Sequence, residues 1–193
     1  MSDEPLQLIG PTAELESEYL AMVHEFRDAG EPYHQRYYDD LRDFAGFVQK
    51  LRDQARGLGL PPGYVPGNTF WLVRGKRILG TSRLRHHLVP SLMNEGGHIG
   101  YDIRPSERGK GYATRLLALT LQKARERGIT RVLVTCDTDN PASARVIHKN
   151  GGCFEDERVS EKSGKPVSRY WIDLAEAAPG HVPSAGAPPA GKG

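Results

Sequence analysis

Apolar positions recur along this chain in two rhythms, and each change of rhythm marks the end of one element. Leu6-Gln-Leu-Ile9 reads as a short opening strand. Leu15, Tyr19, Met22, Val23 and Phe26 then fall three or four apart, which predicts a helix over Leu15 to Asp28 with one buried face. Gly30-Glu-Pro32 interrupts it. Leu41, Phe44, Phe47, Val48 and Leu51 predict a second helix over Asp40 to Arg56, followed by a Gly- and Pro-rich loop to Gly67. Thr69–Val73 and Ile78–Arg85 are predicted strands joined by a turn at Gly75. A linker holding Pro90 and Asn94-Glu-Gly-Gly97 leads to a strand over His98–Arg104. Ala113, Leu116, Leu117, Thr120, Leu121 and Ala124 return to helical spacing, while Arg115, Lys123, Arg125 and Arg127 fall on other faces. Thr130–Cys136 is a β-rich apolar strand, and the hairpin Cys153–Ser160 and Val167–Leu174 closes across Ser163-Gly-Lys165. The order βααβββαβαββ predicts an α/β fold, a mixed and mostly antiparallel central sheet flanked by helices.

The strand over His98–Arg104 runs through a tight turn, Arg108-Gly-Lys-Gly-Tyr-Ala113, into the third long helix. Glycines let the backbone turn and approach a ligand with no Cβ in the way. A helix start offers unpaired N–H groups and a positive dipole end. Arg108 and Lys110 add full charges, so the turn suits a phosphate-bearing molecule. The Walker pattern does not fit, and the dinucleotide fingerprint fails because position 114 is Thr114 and the stretch about 20 residues on, through Gly128-Ile129-Thr130-Arg131, holds no acidic residue past Glu126. A third pattern, Arg/Gln-x-x-Gly-x-Gly/Ala, is matched by Arg108, Gly111 and Ala113. It resembles the coenzyme A pyrophosphate loop of the GNAT superfamily of N-acyltransferases. The competing reading of these six residues alone is a solvated basic turn before a surface helix.

A second motif follows at the distance the resemblance implies. After Thr130–Cys136 comes Asp137-Thr-Asp-Asn-Pro-Ala-Ser-Ala-Arg-Val-Ile-His-Lys-Asn-Gly-Gly152. Asp139 or Asn140 is a predicted N-cap, Pro141 suits the first helical position, and Gly151-Gly152 ends the helix. The Asn-x-x-Ser/Ala…Lys-x-Gly arrangement resembles the second conserved block of the same superfamily, in the form of its ribosomal-protein acetyltransferase branch. Arg169–Leu174 is similar to the superfamily's last strand, and the resemblance covers residues 67 to 174.

What the resemblance implies is acetyl transfer from acetyl-CoA to a primary amine of a small molecule or peptide, by direct attack in a ternary complex. Arg108, Gly109, Lys110, Gly111, Tyr112, Ala113 and Thr114 would bind pyrophosphate, mainly through backbone N–H groups. Tyr101 and Ile103 lie on the strand whose backbone would pair with pantetheine, and one of its N–H groups would polarise the thioester carbonyl. Asn140 and Ser143 match positions that face pantetheine, while Arg145 reaches the adenosine end or is simply solvated. Many members place a tyrosine seven residues after the motif asparagine, where it protonates the thiolate; here that residue is Ile147. Ser143 is the substitute proton donor, set against a hydroxyl bonded to its own helix turn. A carboxylate often serves as base on the preceding strand; its position falls on Gly97, beside His98 and two residues from Glu95. His98, with a suitable intrinsic pKa, is the expected base, against a structural histidine. Of His86 and His87, adjacent on a strand, at most one can line the cleft. Two other classes stand beside the enzyme: a non-catalytic acyl-CoA-binding module, and an acyltransferase using another thioester.

Composition narrows the rest. The chain's 193 residues suit one domain, expected over residues 1–174, and the Ala/Pro/Gly-rich segment 175–193 is expected to be disordered. No apolar run approaches the ~20 residues of a membrane span, and no apolar leader is visible, so the cytoplasm is expected. Cys136 and Cys153 are expected as reduced core thiols, and the histidines and cysteines show no metal-ligand spacing, so no metal is expected. Net charge divides sharply: residues 1–66 carry 6 Lys/Arg against 12 Asp/Glu, and residues 67–193 carry 20 against 12. The basic part coincides with the coenzyme motifs. Asp28, Glu31, Asp39, Asp40 and Asp43 could attract a cationic amine, or are ordinary surface charges. Tyr33, Tyr37, Tyr38 and Tyr64 stack on a substrate or pack their loop. No basic stripe interleaves with aromatics, which disfavours nucleic acid. A homodimer is compatible with the family's habit.

Overall fold

Two helical layers cover opposite faces of one seven-stranded sheet. The computed structural model describes residues 4–31, 42–161 and 163–174. Tyr33, Tyr37, Tyr38, Asp39, Asp40, Leu41 and the segment 175–193 therefore lie outside the described residues. The strands are β1 (Leu6–Ile9), β2 (Gly67–Arg74), β3 (Arg77–Arg85), β4 (Ile99–Ile103), β5 (Arg131–Asp137), β6 (Cys153–Val159) and β7 (Pro166–Asp173), in the spatial order β1-β2-β3-β4-β5-β7-β6. Every neighbouring pair is antiparallel except β4–β5, which is parallel.

Helices α1 (Glu16–Asp28) and α2 (Phe44–Ala55) pack on one face. Tyr19, Met22, Val23 and Phe26 of α1 meet Phe44, Phe47, Val48 and Leu51 of α2 over Trp71, Val73 and Ile78. Burial of each large side chain contributes about 1.5–3 kcal/mol relative to exposure. Helix α2 begins later than its apolar spacing suggests, because the Asp43 carboxylate accepts from Gly46 N at 2.9 Å and fixes the start. On the other face lie α4 (Tyr112–Glu126) and α5 (Pro141–Lys149), over Leu84, Ile99, Val132, Val134 and Tyr170.

Two expectations change. The linker after β3 contains a one-turn helix, α3 (Pro90–Asn94), with Pro90 in its first turn; five residues are too few for an apolar period to register. Cys136 is buried as expected, but Cys153 is exposed, because it starts the edge strand β6, whose side chains are nearly all solvent-facing.

Candidate active site

Strands β4 and β5 touch at one register pair, Ile99 with Val134, and part beyond it. Arg85 N donates to His98 O at 2.8 Å and Arg104 N to Leu79 O at 2.9 Å, so the even-numbered residues of β4 turn their backbone towards β3. The odd-numbered residues, Tyr101 and Ile103 among them, turn theirs towards the widening gap. Gly97 sets the mouth: its φ is +55°, and an added Cβ would collide with the Leu133 carbonyl. Across the gap, the Tyr101 hydroxyl and Ser143 Oγ share a hydrogen bond of 2.7 Å. Burial pushes the Tyr101 phenol up to about 12 despite that bond, so it carries its proton at neutral pH.

The loop after β4 forms an amide cradle. Gly109 and Gly111 adopt left-handed φ values of +74° and +81°, and nothing lies within 4 Å of a Cβ built on either. Gly111 is the N-cap of α4, with no side-chain cap and no acidic residue in the helix's first turn. The N–H groups that begin α4, at Tyr112, Ala113 and Thr114, therefore have no carboxylate or hydroxyl capping them among the described residues. The chemistry fits a diphosphate. The loop's cations are engaged differently from expectation. Arg108 grips Glu31 through both terminal nitrogens, one at 2.9 Å, while its Nε donates to Ile103 O at 3.1 Å. Its guanidinium also stacks over Phe26, so it is turned towards α1. Lys110 Nζ lies 2.9 Å from Glu107, which also accepts from Arg77 Nε at 2.7 Å. Burial works to raise the Glu107 carboxyl, but these two cations outweigh it and hold it below the usual range.

The three expected catalytic residues do not converge. Ser143 faces Tyr101 across the gap, while Asn140 Oδ1 accepts from Ser143 N at 3.0 Å as the N-cap of α5. Arg145 is exposed, with no partner among the described residues. His98 is buried, and its Nδ1 accepts from Leu133 N at 2.9 Å, which places the neutral ring's proton on Nε2. Burial lowers its pKa to about 4, with Arg85 and His87 pushing the same way. A ring whose only lone pair is spent on a backbone N–H is a poor base, and the His98 assignment is withdrawn. Glu95 is withdrawn as well, because its carboxylate accepts from Ser160 Oγ at 2.5 Å in the β6–β7 hairpin. His86 bridges Asn68 at 2.7 Å and Arg127 at 3.0 Å; His87 is exposed.

A carboxylate that sequence reasoning passed over sits on β4 itself. Asp102 pairs in register with Thr81, on the face opposite Tyr101 and Ile103, and reaches Tyr19 electrostatically. Burial drives the Tyr19 phenol above its usual range, with Arg83 pulling it down and Asp102 pushing it further up. Period-two alternation along Gly100-Tyr-Asp-Ile103 would have revealed that face. On the same side, a cavity of about 300 Å³ opens between α1–α2 and strands β2–β3.

A sheet that splays between two parallel strands, beside a glycine-led helix start, defines a class of proteins that seat a coenzyme's phosphates at that start. Residues 15–152 match the family model described as an acetyltransferase (GNAT) domain, and the chain belongs to that family. A search of curated protein sequences returns no significant match. Solved structures share the fold. The RimL ribosomal L7/L12 alpha-N-protein acetyltransferase, in complex with coenzyme A, aligns at TM-score 0.67 and 19% identity, over 90% of this chain and 96% of its own. The microcin C7 self-immunity acetyltransferase MccE, in complex with acetyl-CoA and AMP, aligns at 0.66 and 15%, over 89% and 93%. A spermidine N-acetyltransferase SpeG chimera from Vibrio cholerae aligns at 0.62 and 15%, over 88% and 95%. Among the described residues, no helix is long and apolar enough to cross a membrane, and no group of three His, Cys, Asp or Glu residues is placed to hold a metal ion.

Proposed function

We propose that this protein moves an acetyl group from acetyl-CoA to a primary amine, of a small molecule or a peptide end, within a single domain over residues 1–174. The observation that carries the reading is the β4–β5 gap, with the Tyr101 and Ile103 backbone turned into it and the uncapped start of α4 at its end. The RimL neighbour's alpha-N-protein acceptor and the coenzymes of two neighbours are compatible with it. The coenzyme supplies an activated acetyl thioester; everything else falls to this chain. The amides of Gly109 to Thr114 hold the diphosphate, and Lys110 adds charge beside them. The Tyr101 N–H polarises the thioester carbonyl.

An alkyl ammonium with a pKa near 10.4 needs about 4–5 kcal/mol of deprotonation work at pH 7. Asp102, on the acceptor-side face of β4, takes that proton, directly or through one water. The neutral amine then forms the C–N bond as the C–S bond breaks. Ser143 passes a proton to the departing thiolate, and the second proton, shed by the nitrogen once the C–N bond has formed, returns through water to restore Ser143 and its Tyr101 partner. Release of free thiol from acetyl-CoA across a panel of amines tests the reading. Tight acetyl-CoA binding with no thiol released would favour a non-catalytic coenzyme-binding module instead. Ile147, buried where many relatives carry an acid-donating tyrosine, is the observation on that side.

A further inference from the structure

Arg108, the residue on which the coenzyme motif begins, turns its side chain away from the cradle it leads into. This inference rests on the acetyltransferase reading. Its terminal nitrogens grip both oxygens of Glu31, one at 2.9 Å, and its Nε donates to the Ile103 carbonyl at 3.1 Å. Its guanidinium carbon lies 5.7 Å from the centre of the Phe26 ring. Phe26 is buried and, with Tyr19, Met22 and Val23 of α1, lines the cavity of about 300 Å³ on the acceptor side. Arg108 does not line that cavity; it stands behind the wall.

Holding the fold together is a poor account of this contact. The pair is open to water, with side chains 46% and 33% exposed, so it contributes little to stability. Helix α1 is already tied to the same loop by Arg104, which binds Glu18 and Glu25 at 2.8 and 2.7 Å, and by Ser106 N, which donates to Glu25 at 3.1 Å. Those ties stop at Glu25. Beyond it the chain turns at Gly30, whose φ is +70°, and Glu31 N donates back to the Phe26 carbonyl at 3.1 Å. Arg108 therefore holds Phe26 twice, by its ring face and through Glu31. A planar fork that pairs with both carboxylate oxygens and stacks on a ring fixes direction as well as distance. To reach a diphosphate, the guanidinium would have to give up the carboxylate, the Ile103 carbonyl and the ring together.

We propose that Arg108 serves the amine rather than the coenzyme: with Glu31 it seats Phe26 and the end of α1 as the wall against which the acceptor's body lies. The diphosphate is left to the amides of Gly109 to Thr114. Arg108 is thus a positioning residue, one step removed from the reacting atoms, and Glu31 is its partner. The amine's wall and the coenzyme's seat hang on adjacent residues, Arg108 and Gly109.

Arg108→Gln, Glu31→Gln, the double variant and Arg108→Lys test this in the full chain. Acetyl-CoA affinity is read by calorimetry, and thiol release with 2-phenylethylamine and with alanyl-phenylalanine amide gives the kinetic constants. The expected result is acetyl-CoA affinity within about threefold of wild type in all four, while the amine KM rises about fivefold or more with kcat nearly unchanged. The double variant should be no worse than either single one, since both remove the same contact. Lysine keeps the charge but not the fork, and should not restore the amine KM. Hydrogen exchange of the free protein should quicken at residues 26–31 in each variant, while the rest of α1 keeps its protection. A loss of acetyl-CoA affinity beyond about tenfold in Arg108→Gln, tighter acetyl-CoA binding in Glu31→Gln, an unchanged amine KM, or unchanged exchange at residues 26–31 would overturn the proposal. A wild type that releases no thiol with either probe would count against the acetyltransferase reading instead, and the exchange pattern would still decide whether Arg108 and Glu31 seat the wall.

Discussion

His98 illustrates how a fold reassigns a residue that its side-chain chemistry had marked for catalysis. Its ring nitrogen completes the β4–β5 junction, and burial brings its pKa down from 6.5 to about 4. Because the folded pKa is depressed, the unfolded chain binds the proton first as pH falls. The stabilisation is complete above about 6.5 and is lost between there and about 4, on the order of 3 kcal/mol. Urea unfolding measured from pH 7 to 4 should show this slope, and His98→Gln should flatten it. Ser143 carries the opposite lesson. The Asn-x-x-Ser spacing marked it, and its hydroxyl does face the gap, bonded to Tyr101. Ser143→Ala should lower kcat on the order of 100-fold with acetyl-CoA affinity nearly unchanged. Tyr101→Phe should give a smaller loss and a shifted alkaline limb in the pH profile. Equal kcat in wild type and Ser143→Ala would remove the proton-donor role. Alternation along β4 is enough to set Asp102 on the face opposite Tyr101, but not to say what that face meets, because the packing of Tyr19 and β3 against it is decided only in the fold.

At the scale of elements, the start of α4 concentrates the most legible information in the chain. Two glycines three and one residues ahead of Tyr112 mark a backbone that must go left-handed, and both do. Gly111→Ala should cost about 1 kcal/mol of stability through its φ of +81°. The same methyl stands over the cradle and should weaken acetyl-CoA binding by far more than that, a contrast that calorimetry and thermal melting read separately. Gly97→Ala should be worse for folding, since its Cβ meets the Leu133 carbonyl at the one place where β4 and β5 join. Element ends were less legible than element kinds. Asp43 caps α2 and starts it at Phe44 because a cap outranks apolar spacing, and α3 is shorter than any period that could announce it.

For the whole molecule, three of the acidic residues in the first third of the chain serve as an internal tie. Glu18 and Glu25 of α1 bind Arg104 at 2.8 and 2.7 Å, Glu25 also accepts from Ser106 N at 3.1 Å, and Glu31 holds Arg108. Composition exposed the asymmetry but not its use, because pairing depends on which helix lies against which loop. Arg104 is buried, and Arg104→Ala would leave two carboxylates facing each other. The expected loss is about 2–3 kcal/mol, below that of a fully buried pair because the Glu18 and Glu25 side chains remain 31% and 29% exposed. Chemical denaturation of the variant checks it, and the deficit should shrink in acid as the Glu25 carboxyl, which burial works to raise but its bonds to Ser106 and Arg104 hold below the usual range, takes up its proton. The parting of β4 from β5 has a consequence of its own. An amide with no strand beside it trades its hydrogen for deuterium quickly, while its neighbour one residue along, bonded to β3, does so slowly. The free protein should therefore show a fast–slow alternation along residues 100 to 103, and acetyl-CoA should erase it by slowing Tyr101 and Ile103 alone.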